Sequence, residues 1–189
     1  MRQIGLLAGS FNPAHAGHLH VARTALRALR LDQVWLLVSP GNPLKPRAGL
    51  APFAERLAGV RRLVDGVRLR ASDAEQRLGS RYTHRTLARL RALHPRDRFV
   101  LILGADNLLQ LPRWRRWRAI AAQTPLAVLP RPGFTRRALR GQAASVLRHA
   151  RTAPARLPTR GGPLGPGWAL VPAAERAISA TAIRAAALP

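Results

Sequence analysis

The chain contains no cysteine, and Lys45 is the only lysine among its 189 residues. The absence of cysteine excludes disulfides, thiolate metal ligands and a cysteine nucleophile, and it is typical of a reducing compartment. No run of eighteen apolar residues is present, and the first residues lead directly into a strand-like run. We therefore expect neither a membrane span nor a signal peptide, and hence a cytoplasmic protein.

Acidic residues are also scarce: eight stand against 32 basic residues, which gives a formal net charge of +24. Such a charge attracts phosphate backbones and is one indication of a nucleic-acid-binding protein. The arginines, however, are scattered over nearly every predicted helix, and aromatic residues that would stack on bases make up only 5% of the chain. A general replacement of lysine by arginine explains this composition better. We therefore expect small polyanions such as nucleotides as ligands, rather than nucleic acid.

Short apolar runs alternate with helical patterns along the chain. The predicted strands lie at 4–8, 34–38, 67–71, 99–103, 126–129 and 170–171, and the predicted helices at about 17–30, 52–65, 82–93, 107–122 (in part), 136–148 and 179–187. This alternation is typical of βαβ units, so we expect a single α/β domain, a three-layer Rossmann-like parallel sheet flanked by helices. Within it, residues 135–167 are rich in Pro, Gly and Arg. After the helix at 136–148 they are predicted to form a surface loop or a mobile lid.

The segment from Gly9 to His18 joins the first strand to the first helix and carries His15 and His18, three residues apart. Unpaired amides at a helix start and the positive end of its dipole favour phosphate, and imidazoles beside them can donate to phosphate oxygens. Metal binding is the competing interpretation, but no Asp, Glu or Cys lies nearby to complete a ligand set. The remaining histidines lack this context and are predicted to be structural: His20, His84, His94 and His149.

Two other unusual segments also follow strands. Ser39–Lys45 comes after the second strand, and Gly104-Ala105-Asp106 comes after the fourth. Ligands of parallel α/β sheets bind at the carboxyl ends of the strands. The sequence therefore predicts that these two segments and the histidine turn meet at one site.

The same motifs resemble those of a known family. Gly9–His18 resembles the first signature of the nucleotidylyltransferase superfamily, G-x-F-x-P-x-H-x-G-H, and Ile178–Arg184 resembles its second, I-S-x-T-x-I-R. Four segments between them resemble the nicotinate-nucleotide adenylyltransferase branch: Ser39–Lys45, Tyr82-Thr83, Gly104–Asn107 and Leu111–Trp114. The resemblance covers nearly the whole chain, in order.

This resemblance implies that ATP and nicotinate mononucleotide react to give nicotinate adenine dinucleotide and pyrophosphate. The acceptor phosphate would attack the α-phosphorus in line, without a covalent enzyme intermediate, so positioning and charge stabilisation would carry the catalysis. Mg²⁺ would arrive mostly on the ATP phosphates, since few acids lie near the motifs and no residue is predicted as a metal ligand. The nearest alternative is a sister transferase that uses phosphopantetheine or nicotinamide mononucleotide as acceptor.

On the ATP side, the resemblance implies that His18 donates to the α-phosphate and that His15 holds the phosphates. The other implied ATP-binding residues are Gly9, Ser10, Phe11, Gly104, Asp106, Ser179, Thr181 and Arg184. Asp106 suits a ribose hydroxyl or adenosine, and a plain helix N-cap is its alternative. Arg184 would reach the β- and γ-phosphates, although Ser179–Arg184 also fits a capped helix with a surface arginine.

On the acceptor side, Lys45 is a compact point charge suited to the polyphosphate or to the acceptor phosphate. Trp114 would stack on the pyridine ring, whereas Trp117 is predicted to pack structurally. The backbone amides at Tyr82 and Thr83 would bind the nicotinate carboxylate, which distinguishes the acid from the amide. Arg85 departs from the aspartate of the family pattern and therefore bears on acceptor specificity.

Overall fold

A six-stranded sheet forms the centre of the computed structural model, which describes residues 1–41, 49–157 and 167–175. The strands are β1 Gln3–Gly9, β2 Gln33–Val38, β3 Leu69–Ser72, β4 Arg98–Gly104, β5 Leu126–Leu129 and β6 Trp168–Leu170. Neighbouring strands are parallel, in the order β3-β2-β1-β4-β5-β6. The predicted Rossmann-like parallel sheet is therefore confirmed.

Helices cover both faces of this sheet. They are α1 Ala16–Ala28, α2 Phe53–Leu63, α3 Ala74–Arg77, α4 Thr83–Leu93, α5 Ala105–Gln110, α6 Trp117–Gln123, α7 Thr135–Leu139 and α8 Gln142–Val146. Short 3₁₀ turns occupy Leu111–Arg113, Arg148–Ala150 and Pro154–Arg156. Within the described ranges, none of the helices has the length and apolar character needed to cross a membrane.

Each central strand buries side chains on both faces, which explains its continuous apolar run. In β4, Phe99, Leu101 and Leu103 belong to one core cluster, and the alternate residues Val100 and Ile102 belong to the other. The first cluster packs against α4 to α8 and the second against α1 and α2. Two apolar layers thus hold the helices on opposite faces of the sheet.

The order in which strands are added to the sheet reverses between the neighbouring strands β1 and β4. From β1 the chain proceeds outward to β2 and β3, and it then returns to build β4, β5 and β6 on the other side. In sheets of this order, the crevice beyond the carboxyl ends of the two central strands is the usual ligand site. Gly9 ends β1 and Gly104 ends β4, so both predicted glycine segments lie at this crevice.

The single helix predicted at 136–148 is wrong, because the structure has two short helices there. They are separated at Gly141, whose extended backbone begins α8. A Cβ on this glycine would lie 3.1 Å from the Leu109 side chain, so the glycine permits close packing against α5. The α3 helix was not predicted either, since four residues are too few to show a period. Residues 158–166 of the predicted loop and the predicted helix at 179–187 lie outside the described residues.

Candidate active site

His15 and His18 cap the first turn of α1 through a reciprocal pair of hydrogen bonds. The Nδ1 atom of His15 accepts from the Gly17 amide at 3.1 Å, and the Nδ1 atom of His18 accepts from the His15 amide at 3.2 Å. This is a capping box in which imidazoles replace the usual hydroxyl and carboxylate. The two rings lie 3.8 Å apart, centroid to centroid. The turn therefore fixes both histidines before any ligand arrives.

The capping bonds also determine the tautomer of both rings. Because Nδ1 accepts a hydrogen bond in each, the proton of a neutral ring is on Nε2. Burial, the nearby His15 and the nearby Arg131 lower the pKa of His18 to about 3. Burial and Arg131 also lower the pKa of His15. At neutral pH the site therefore presents two uncharged Nε2–H donors, held in place by the backbone.

Phe11 supports the histidine pair from the core. Its ring is buried and lies 4.8 Å from the His18 ring, centroid to centroid. Its backbone has a φ of 48°, a left-handed conformation that is uncommon for a bulky residue and stores strain at functional turns. A Cβ on Gly9 would come within 3.2 Å of this ring. The ring of Phe11 thus supports His18 from the core side.

Asp106 lies at the end of β4 and pairs with an arginine that the sequence did not single out. Its Oδ2 accepts from Arg131 Nη1 at 2.7 Å, while its Oδ1 is buried and has no hydrogen-bond partner among the described residues. A Cβ on Gly104 would lie 2.5 Å from Oδ1, so a side chain at this position would displace the Asp106 carboxylate. The N-cap interpretation of Asp106 is wrong, because the N-cap of α5 is Gly104 and Asp106 lies inside the helix.

Arg131 connects the two sides of the crevice. It follows β5, bonds to Asp106 beyond β4, and lowers the pKa of both histidines beyond β1. Its amide donates to Thr135 Oγ1 at 2.9 Å, which fixes its backbone at the start of α7. The sequence offered only its position after a strand as a signal. In a chain with 31 arginines, that position alone does not distinguish it.

Arg56 holds the loops that follow β1 and β2. It is 3% exposed, and its guanidinium donates to the carbonyls of Ser10 at 2.7 Å, Ser39 at 2.8 Å and Ala51 at 2.9 Å. Asn12 adds a second connection, since its Nδ2 donates to the Gly49 carbonyl at 2.7 Å. These bonds tie the histidine turn to both ends of the segment that contains Lys45. Arg56 lies within a helical pattern, and nothing in the sequence marks it.

The predicted acceptor segment begins α4. Tyr82 is the N-cap and Thr83 the first helical residue, and no side chain caps this end. The guanidinium groups of Arg85 and Arg115 lie 5.8 and 5.3 Å from the centroid of the Tyr82 ring. Burial and the nearby Arg116, Arg115 and Arg85 lower the pKa of His84. The structure thus brings the Tyr82 segment against the loop that contains Arg115.

Trp114 lies in that same loop, at the end of a 3₁₀ turn, where it packs against the edge of the core. Trp117 is buried in the core, as predicted. Three other histidines lie in structural or exposed positions. His94 packs edge-on against Trp35 and Phe99, His20 contacts the Ala174 carbonyl, and His149 is exposed.

Four predicted site residues lie outside the described residues, and their roles remain predictions: Lys45, Ser179, Thr181 and Arg184. Within the part of the chain that the structure describes, no group of three or more His, Cys, Asp or Glu side chains could hold a metal ion. Asp106 Oδ1 is the buried carboxylate oxygen that lacks a partner there. The described site therefore consists of neutral donors, one arginine and one half-paired carboxylate.

Comparison with known proteins gives a family match and named relatives. The family model described as cytidylyltransferase-like matches residues 6–186. A relative from Gluconobacter oxydans, named "probable nicotinate-nucleotide adenylyltransferase", is 58% identical over 96% of this chain and 93% of its own. A relative of the same name from Gluconacetobacter diazotrophicus is 53% identical over 98% of this chain and 86% of its own.

Solved structures show the same fold at low sequence identity. Nicotinic acid mononucleotide adenylyltransferase from Plasmodium falciparum, complexed with nicotinate adenine dinucleotide (NaAD), has a TM-score of 0.70 at 17% identity. The match covers 98% of this chain and 83% of that chain. The same enzyme complexed with APC has a TM-score of 0.69. The chain belongs to the cytidylyltransferase-like family and, within it, to the nicotinate-nucleotide adenylyltransferases.

Proposed function

We propose that this protein transfers the adenylyl group of ATP to nicotinate mononucleotide, forming nicotinate adenine dinucleotide and releasing pyrophosphate. The observation that carries the proposal is the capped histidine pair at the carboxyl end of β1. The chain is also 58% identical to a relative named "probable nicotinate-nucleotide adenylyltransferase". Phosphate binding requires donors at this position, and the capping bonds leave the Nε2–H of each ring as a donor.

The chemistry needs charge stabilisation rather than a covalent intermediate. An ionised oxygen of the acceptor phosphate attacks the α-phosphorus, pyrophosphate leaves on the opposite side, and negative charge builds on the oxygens between them. We assign the donor at the α-phosphate to His18 and a phosphate-holding role to His15. Because both rings are fixed beforehand in a half-buried site, their donors stabilise the transition state without reorganisation.

Asp106 and Arg131 are assigned to the nucleotide as well. The unpartnered Oδ1 of Asp106 is suited to accept from a ribose hydroxyl, and Arg131 holds the other oxygen in place. The positive charge of Arg131 also favours phosphate next to the histidines. We assign contacts with the polyphosphate to Ser179, Thr181 and Arg184, and a contact with a phosphate to Lys45. These assignments are based on the sequence motifs alone.

Nucleotidyltransferases of this kind use a divalent metal with ATP, and we propose Mg²⁺. The described residues contain no cluster of three or more potential metal ligands, which fits an ion held mainly by phosphates and water. When bound, the ion neutralises phosphate charge.

On the acceptor side, we assign stacking on the pyridine ring to Trp114. The uncapped amides at Tyr82 and Thr83 are assigned to the nicotinate carboxylate.

Incubation with Mg-ATP and nicotinate mononucleotide tests the proposed reaction. We expect pyrophosphate and nicotinate adenine dinucleotide in equal amounts, measured by a coupled phosphate assay and by chromatography. Parallel reactions contain nicotinamide mononucleotide, phosphopantetheine or no acceptor. Pyrophosphate release that depends on phosphopantetheine, with none from either pyridine mononucleotide, would identify a sister transferase and contradict the proposal.

A further inference from the structure

The chain that follows β6 is bonded to elements on both flanks of the crevice. Residues 171–175 end the described part of the chain, and we call them the anchor segment. The Val171 amide donates to the Val128 carbonyl at 2.8 Å, which continues the pairing of β6 with β5. Val171 is buried, and Ala173 packs against the second core cluster. The anchor segment therefore leaves the sheet at the carboxyl ends of the strands.

One bond joins the anchor segment to α1. The Nε2 atom of His20 lies 3.1 Å from the Ala174 carbonyl oxygen. Because a carbonyl can only accept, the ring nitrogen is the donor. His20 follows His18 by two residues, on the helix whose first turn holds the histidine pair. The bond thus connects the anchor segment to the helix that presents the proposed α-phosphate donor.

A second bond joins the anchor segment to the turn after β5. Thr135 Oγ1 donates to Glu175 Oε1 at 2.7 Å. The same hydroxyl lies 3.0 Å from the Arg131 carbonyl oxygen, but that oxygen already accepts from the amides of Phe134 at 3.0 Å and Thr135 at 3.2 Å. Since a carbonyl oxygen has two lone pairs, the hydroxyl hydrogen is available to Glu175. Thr135 therefore accepts from the Arg131 amide and donates to Glu175.

These two bonds fix the chain just before its second signature. That signature begins at Ile178, three residues beyond Glu175 and outside the described residues. Three residues of chain span at most about 10 Å, so the position of Glu175 limits where the signature can act. Arg131, whose amide bonds to the same threonine as Glu175, pairs with Asp106 at the proposed nucleotide site. The anchor segment therefore ends beside the site that the second signature is assigned to serve.

The charge of Glu175 opposes the binding that its position would support. Glu175 is exposed, and it is one of only eight acidic residues in the chain. By charge alone, removal of this carboxylate would strengthen the binding of a polyphosphate nearby. Loss of its bond to Thr135 would weaken that binding if the bond positions the second signature. The two effects have opposite signs, so a single variant distinguishes them.

We propose that Glu175, Thr135 and His20 are positioning residues that hold the anchor segment and thereby place the second signature at the β- and γ-phosphates of ATP. None of the three is assigned a contact with substrate. The proposal rests on the proposed function for the identity of the nucleotide, and on the motif for the phosphate contacts of the signature itself.

Glu175→Ala and His20→Leu test this role, with pyrophosphate and AMP as separate probes of the ATP site. Pyrophosphate has the two phosphates in question, whereas AMP lacks them. We expect each variant to raise the KM for ATP and the inhibition constant of pyrophosphate about 5-fold, the effect of one lost hydrogen bond. The inhibition constant of AMP, measured against ATP, and the kcat should change less than about 2-fold.

Two further variants separate the bond from the charge. Glu175→Gln keeps an oxygen that accepts from Thr135 but has no charge, so it should return both values to within about 2-fold of the unmodified protein. Glu55→Ala is the matched control, because Glu55 is exposed on α2 and its loss changes the net charge equally. The melting temperatures should agree within about 3 °C, since each change removes at most one bond near the surface.

Three results would overturn the proposal. One is an unchanged or lowered KM for ATP in Glu175→Ala. Another is an inhibition constant of AMP that rises as much as that of pyrophosphate, which would show a general distortion of the site. The third is a Glu175→Gln variant as impaired as Glu175→Ala. If the unmodified protein does not use nicotinate mononucleotide, the proposed function fails, and calorimetric titration with pyrophosphate and with AMP still tests the anchor segment.

Discussion

Replacement of His18 by asparagine is expected to lower kcat by about 10²-fold or more while leaving the fold intact, as the loss of an oxyanion-type donor does. The asparagine Oδ1 atom takes the place of Nδ1 and can accept from the His15 amide, so the helix cap remains. No atom of asparagine reaches the position of Nε2, so the donor at the α-phosphate is lost. The variant therefore separates the chemical role of His18 from its structural one.

Steady-state kinetics and thermal melting measure the two roles in the same preparation. His149→Asn is the matched control, because His149 is exposed and distant in the chain from the helix cap. A kcat within a few-fold of the unmodified protein in a folded His18→Asn variant would refute the role of His18. His18→Gln gives the converse test, since its amide reaches towards the Nε2 position but does not replace the capping nitrogen.

Replacement of Arg56 by lysine is expected to lower the free energy of unfolding by about 3 kcal/mol, because a buried charged donor serves three carbonyls. A lysine ammonium is a point donor on a flexible stem and cannot span the carbonyls of Ser10, Ser39 and Ala51 at once. Since two of these carbonyls belong to the loops after β1 and β2, we also expect kcat/KM to fall about 10-fold.

Chemical denaturation followed by circular dichroism measures the loss of stability. Arg61→Lys is the control, because Arg61 lies on the same helix and is exposed. The two variants have the same charge and the same chemical change, so their difference reports the buried contacts alone. Equal stabilities for Arg56→Lys and Arg61→Lys would contradict the structural role given to Arg56.

The histidine turn could be predicted because its chemistry and its place in the chain agree. A strand that ends in glycine, a turn and two histidines at a helix start are each visible in the sequence, and parallel topology places them at the crevice between β1 and β4. The capping box was not predicted, since histidine is an unusual cap. The capping bonds nevertheless decide the tautomer, and hence which ring nitrogen donates.

Arg56 and Arg131 could not be predicted from the sequence. Arg56 and Arg131 are two of 31 arginines, and only tertiary contacts distinguish a buried guanidinium from an exposed one. The division of the predicted helix at 136–148 falls at Gly141, whose extended backbone interrupts the continuous amphipathic pattern.

The state of His18 in the ligand-free protein can be observed by ¹⁵N NMR of histidine-labelled protein over a pH series. Its pKa, lowered to about 3 by burial and by the neighbouring His15 and Arg131, predicts that the ring stays neutral from pH 5 to 8. The capping bond predicts an unprotonated Nδ1 and a protonated Nε2 throughout that range. Titration of His18 near pH 6.5, or a proton on its Nδ1, would contradict a neutral Nε2–H donor held ready for the α-phosphate.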